Sequence, residues 1–90
     1  MIPYRHLIYT LAVAEHGSVQ AASNHISISQ PALSAAIQKV EQKYGLKIFL
    51  RDRPNKLILT PDGKRFIARA KVLVEGAEEF EDNIRNLSNT

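Results

Sequence analysis

The 90-residue sequence predicts a mainly α fold. Its architecture is a winged helix-turn-helix of three helices and a two-stranded wing, followed by one long helix. Three observations carry that expectation. Residues 19–37, VQAASNHISISQPALSAAI, read as two short helices around a tight turn. Two short branched-apolar runs flank the polar segment Asp52-Arg53-Pro54-Asn55-Lys56, a hairpin pattern. From residue 66 onward, apolar residues recur at alternating spacings of four and three.

Length and composition bound the problem before any motif does. Ninety residues with 44% hydrophobic and 23% charged content suit a soluble globular chain with one modest core. No apolar run approaches the ~20 residues a membrane span requires. The first residues, MIPYRHLIYTLAVAEHG, place Arg5, His6, Glu15 and His16 at helical spacing, which is not a signal-peptide pattern. The absence of cysteine excludes disulfides and thiolate metal sites and points to the cytoplasm. The net charge of +3 is unevenly spread. Residues 1–60 hold seven Lys or Arg against three Asp or Glu, a net +4, whereas residues 61–90 hold five against six, a net −1. A polyanion would meet the first part.

The first helix is expected to open at Pro3, a residue suited to the first helical position, and to run to about His16. Tyr4, Leu7, Ile8, Leu11 and Ala14 share one of its faces, so it serves as scaffold behind the helix-turn-helix. Gly17 suits a left-handed C-cap, and Ser18 can cap the next helix over residues 18–25. In that helix Ala22 is small enough for a close helix crossing. Ile26 and Ile28 anchor the turn.

The third helix is expected from Ser29 to about Tyr44, with Ser29 as N-cap and Pro31 in the first turn. Leu33, Ala36, Ile37, Val40 and Tyr44 make its inward stripe. Gln30, Ser34, Ala35, Gln38 and Gln42 are left outside, with Lys39 and Lys43 toward the flanks. Such a face equally suits plain solvent, but behind this turn it suits a DNA major groove. Glutamine can bond adenine, serine a base edge or phosphate, and an alanine methyl can pack on a thymine methyl. Gly45 ends this helix.

The wing strands are expected at Lys47–Arg51 and Leu57–Thr60. Arg53 at the tip suits a minor groove or phosphate, and Lys56 suits phosphate. Arg51 either joins them or pairs with Asp52 or Asp62. Thr60-Pro61 opens the last helix, about 27 residues long. Its seam of Phe66, Ala70, Leu73, Ala77, Phe80, Ile84 and Leu87 exceeds what a 60-residue head can cover, so a second copy of the chain is the expected partner. The division is thus a head over residues 1–60 and a dimerisation helix over 61–90.

Catalytic chemistry finds little support. His6, His16 and His25 are spaced by ten and nine residues without a carboxylate pattern for a metal. The glycines at 17, 45, 63 and 76 are isolated, so no phosphate-cradling loop forms. The readings weighed are a homodimeric DNA-binding domain, a dimerising protein-interaction module of the same fold, and an enzyme. The second would be indifferent to salt, and the third would need converging ionisable groups.

The chain resembles the N-terminal DNA-binding domain of the LysR-type transcriptional regulators. The resemblance rests on Leu11-Ala-Val-Ala-Glu15, Gly17-Ser18, Ala21-Ala22, Ser29-Gln-Pro-Ala-Leu-Ser34, Ile37, Glu41, Gly45, Phe49, Arg51, Leu59-Thr60-Pro61 and Gly63, and covers residues 4–66. It implies binding of double-stranded promoter DNA as a dimer, and a tetramer in the full-length protein. It also implies recognition-helix contacts from Ser29, Gln30, Pro31 and Ser34, and a wing contact from Arg53. Many members carry a basic or amide residue where this chain has Ala35 and Ala36, which shifts base reading toward Gln30, Ser34 and Gln38. The wing is also one residue longer than the commonest form. The resemblance further implies that the chain is a fragment with no cofactor. A C-terminal effector-binding domain of periplasmic-binding-protein type, absent from these residues, would take a small-molecule inducer.

Overall fold

The computed structural model describes residues 1–89, so Thr90, the end of the expected last helix, lies outside the described residues. Three helices, α1 (Tyr4–His16), α2 (Val19–Ile26) and α3 (Gln30–Tyr44), precede a hairpin of β1 (Phe49–Arg53) and β2 (Lys56–Leu59). The chain ends in α4 (Pro61–Ser88), 28 residues and about 42 Å at ~1.5 Å per residue. None of the described helices is long and apolar enough to cross a membrane.

Local chemistry sets the helix boundaries. Gly17 and Gly45 both adopt left-handed φ, +78° and +62°, and close α1 and α3 as expected. The hydroxyls of Ser18, Ser29 and Thr60 accept from the backbone N–H of Ala21 (3.0 Å), Ala32 (3.3 Å) and Gly63 (2.8 Å). Pro3 sits at the N-cap of α1, one residue ahead of the expected position, because its ψ of 143° is extended. The turn between α2 and α3 passes through Ser27 in the left-handed region, φ +57°, its N–H bonded to the Ser23 carbonyl.

The head closes around Leu7, Val13, Ala22, Leu33, Ile37, Val40, Ile48 and Phe49. Ala22 is fully buried, as a close crossing demands, and Ile26 and Ile28 pack against the same core. Tyr44 does not join the inward stripe. It is 43% exposed, with its ring 6.1 Å from Phe66, so it bridges the end of α3 to the start of α4 instead. Ile67, Ala70 and Val74 of α4 are buried and Phe66 packs on the same core. Ala70, expected in a seam between two chains, is therefore covered within its own. Spacing alone places it on the apolar stripe but does not say which surface the stripe meets.

The wing departs from its expected register. The strands pair Phe49 with Leu59, Leu50 with Ile58 and Arg51 with Leu57, then shift so that Arg53 faces Lys56. Only Pro54 and Asn55 remain at the tip, and Lys47 and Ile48 lie outside β1. The cause is Glu41 on α3, whose Oε2 accepts the N–H of Ile48 at 2.7 Å and of Phe49 at 3.4 Å. Ile48 and Phe49 are consecutive and both buried, which breaks the alternation of a half-buried strand. Two further bonds fix the hairpin. Leu57 N–H donates to the Gly17 carbonyl at 2.8 Å, and Thr60 N–H to the Ile48 carbonyl at 3.0 Å. At the start of α4, a Cβ on Gly63 would overlap the Ile48 carbonyl oxygen, so this close approach requires glycine.

Candidate nucleic-acid interface

Three segments that are separate in sequence meet at one end of the head. They are the first turns of α2 and α3 and the hairpin tip. Ser18 and Gln20, Gln30 and Ser34, and Arg51, Asn55 and Lys56 line a groove of about 170 Å³ between them. Ser34 and Gln38 line a second hollow with Lys47 and Arg51, of about 240 Å³, on the side facing the strands. The groove exists because the Leu57–Gly17 bond holds the hairpin to the turn before α2, while Glu41 holds β1 to α3.

Of the residues expected to face DNA, Ser18, Gln30, Ser34, Arg51 and Lys56 share the first groove. Gln38 joins Ser34 and Arg51 at the second. Ser29, Pro31, Ala35 and Lys39 are exposed but lie outside both grooves, along the rest of the outward face of α3. Arg53 is exposed at the end of β1 and does not line the grooves; its Nε stands 3.8 Å from an Asp52 carboxylate oxygen. Such an exposed pair is weak and leaves the guanidinium available to another anion. Arg51 pairs with neither Asp52 nor Asp62. Its Nη1 donates to the Pro54 carbonyl at 2.6 Å and stiffens the tip. Gln20 and Asn55 escaped the sequence reading because each is ordinary in its own segment; only the meeting of three segments brings them together.

The electrostatics favour an anion. The N-termini of α2 and α3 both open toward this end, where partial positive charge gathers. Arg51, Arg53 and Lys56 stand on the wing side, and Lys39 and Lys43 are exposed on the other flank of α3. Behind that flank His6 is buried, with Nδ1 lacking a hydrogen-bond partner among the described residues. Burial first, then the charges of Arg5 and Lys39, hold its imidazole below the ordinary histidine pKa of 6.5. The rings of His16 and His25 meet with centroids 4.5 Å apart and a 40° tilt, joining the ends of α1 and α2. Groups of three or more His, Cys, Asp or Glu suited to a metal do not occur among the described residues.

The chain is similar to known proteins over nearly its whole length. The family description "bacterial regulatory helix-turn-helix protein, lysR family" matches residues 4–64. The SDS degradation transcriptional activation protein of Pseudomonas sp. (strain ATCC 19151) is 33% identical over 85 residues, 94% of this chain and 28% of that protein. The HTH-type transcriptional regulator ClcR of Pseudomonas putida is 37% identical over 75 residues, 83% of this chain and 25% of that protein. The chain thus spans about a quarter of the length of the relatives it matches. Among solved structures, a BenM DNA-binding domain in complex with catB site 1 DNA superposes with a TM-score of 0.92 at 28% identity, covering 98% of this chain and 97% of that one. A CbnR DNA-binding domain–DNA complex gives 0.88 at 30% identity, covering 96% and 98%.

Proposed function

The chain belongs to the lysR family of bacterial regulatory helix-turn-helix proteins, and from that premise we propose that it is the DNA-binding domain of a transcription regulator, engaging an inverted repeat in double-stranded DNA as a homodimer. The observation that carries this reading is the groove where Ser18, Gln30, Ser34, Arg51 and Lys56 converge from three segments. Helix α3 enters the major groove, with Gln30, Ser34 and Gln38 toward base edges. Ser29 and Pro31 set its first turn against the backbone. The N-terminus of α2 at Ser18, with Lys39, Lys43 and Lys56, holds phosphates, and Arg53 reaches the adjacent minor groove or backbone. The complexes of the BenM and CbnR domains with DNA support DNA as the partner.

Residues 1–60 are the reading head, and α4 is the helix that joins two heads. Leu73, Phe80 and Ile84 are 47%, 61% and 46% exposed along one stripe of α4, more apolar surface than a lone helix leaves in water. A second α4 covers that stripe, with Ala77 admitting close approach, and Leu87 continues it. Within the longer protein, assembly to a tetramer and response to a small-molecule inducer fall to a C-terminal effector-binding domain; the regulator works in the cytoplasm, beside its promoters.

Footprinting on a selected duplex tests the assignment of α3. Gln30→Ala and Ser34→Arg each weaken specific binding by roughly 1–3 kcal/mol while thermal unfolding stays cooperative. Wild-type footprints from both variants refute α3 as the base reader.

A further inference from the structure

Between α1 and α4 runs a groove whose charge is opposite to that of the nucleic-acid interface. Its floor is apolar: Leu11 and Ala14 of α1, Leu59 of β2, and Ile67 and Val74 of α4 enclose about 560 Å³. Its rim sets the carboxylates of Glu15, Glu75 and Glu78 against the ammonium of Lys71. Past Glu78 the hollow continues for about 420 Å³ beside Tyr4, Glu81 and Asp82, as far as Arg85. The ion pairs of α4 join Arg65 to Asp62 and Arg85 to Asp82. Glu15, Glu75, Glu78 and Glu81 therefore keep their charges without a contacting cation among the described residues. Ile67, Lys71, Val74 and Glu78, spaced by four, three and four, lie about a third of a turn around α4 from Leu73, Phe80 and Ile84. The groove shares no residue with either hollow beside the hairpin tip.

Shape and charge together select an occupant. From Ile67 to Arg85 the trough follows α4 for about 27 Å at ~1.5 Å per residue, a length that a small molecule does not span and a helix of about five turns does. Carboxylates on the rim repel nucleic acid and anionic lipid alike. Groups of three or more His, Cys, Asp or Glu suited to a metal do not occur among the described residues, so a bound cation does not account for the acid. We propose that this trough docks an amphipathic helix of a protein partner. The apolar stripe of that helix lies on Leu11, Ala14, Ile67 and Val74, and its flanking lysines or arginines face Glu15, Glu75, Glu78 and Glu81. The contact leaves the basic end of the head free for DNA.

The probe is a displayed library of five-turn helical peptides with a fixed leucine stripe and randomised flanks, panned on the unaltered chain. The expected winners carry lysine and arginine on both flanks. Bound to the chain, a synthetic winner moves the amide resonances of Leu11, Glu15, Lys71, Val74 and Glu78 and leaves those of α3 in place. Replacing its leucines by serine at constant charge abolishes binding. Glu75→Lys combined with Glu78→Lys, both exposed, lowers its affinity about tenfold, and the sedimentation of that variant matches the parent. Failure to select any peptide, or winners with neutral or acidic flanks, overturns the inference. So does equal binding of the serine peptide, which reduces the contact to loose charge attraction, or resonance shifts confined to Leu73, Phe80 and Ile84. Altered sedimentation of the double variant assigns the trough to a second copy of the chain and overturns it as well. None of these outcomes touches the DNA-binding reading, which rests on other residues.

Discussion

The carboxylate of Glu41 joins the helix that carries Gln30, Ser34 and Gln38 to the strand that leads into the wing. Replacing it by alanine removes the acceptor for the Ile48 N–H at 2.7 Å and for the Phe49 N–H at 3.4 Å. Ile48 is fully buried, so water does not readily take the vacated place. An orphaned buried donor costs about 1–3 kcal/mol, and bonds to a charged acceptor lie in the upper part of that range. The Lys47 ammonium, 3.9 Å from Glu41 Oε1 and largely exposed, adds little. The longer 3.4 Å bond is also weak, leaving a total of about 1.5–3 kcal/mol. For a domain of this size each kcal/mol moves Tm by about 4–8 °C, so Glu41→Ala lowers Tm by roughly 6–24 °C. Glu41→Gln keeps an acceptor oxygen without the charge and recovers about half. The assay is thermal unfolding by circular dichroism, paired with urea titration at constant m-value. A Tm within about 2 °C of the parent for Glu41→Ala refutes the reasoning, because an orphaned buried N–H cannot be that cheap.

Three further outcomes follow from other parts of the molecule. Gly63→Ala drives a methyl into the Ile48 carbonyl and costs at least about 1–3 kcal/mol in urea unfolding, since backbone rather than a flexible side chain must yield. His6 has its pKa lowered by burial and by Arg5 and Lys39, so the unfolded chain binds the proton more readily. Stability is therefore level above pH 6.5 and falls as pH drops below it; titration of unfolding with His6→Phe as control should show the fall only in the parent. Leu73→Asp combined with Phe80→Asp gives monomers in sedimentation velocity without unfolding the head, because both side chains are exposed in a single chain.

What the sequence disclosed and what it withheld divide along the range of the forces involved. Caps act over three or four residues, so Ser18, Ser29, Thr60, Gly17 and Gly45 could be placed from their neighbours alone. Ala22 could be placed because only a small residue fits a tight crossing. The register of the wing could not, because Glu41 claims two N–H groups seven and eight residues away and takes Ile48 out of the strand. Nor does any local signal mark Ser27 as left-handed in a turn where glycine would be the natural choice. Heptad spacing put Ala70 on the apolar stripe of α4, and the length of that stripe showed that the head could cover only its beginning, but spacing did not mark where the head's cover stops. Gln20 and Asn55 entered the groove only once three segments had been folded together.

The most direct test of the account is the fluorescence anisotropy of this chain against a pool of inverted-repeat duplexes over a salt series. A polar outward face of α3, with Arg51 and Lys56 on the wing side and Lys39 and Lys43 on the other flank, predicts two results together. Log affinity falls with log salt at a slope equivalent to several phosphates, and a subset of duplexes is preferred at every salt concentration. Absence of binding at low salt contradicts the account and leaves a winged fold that meets another protein instead.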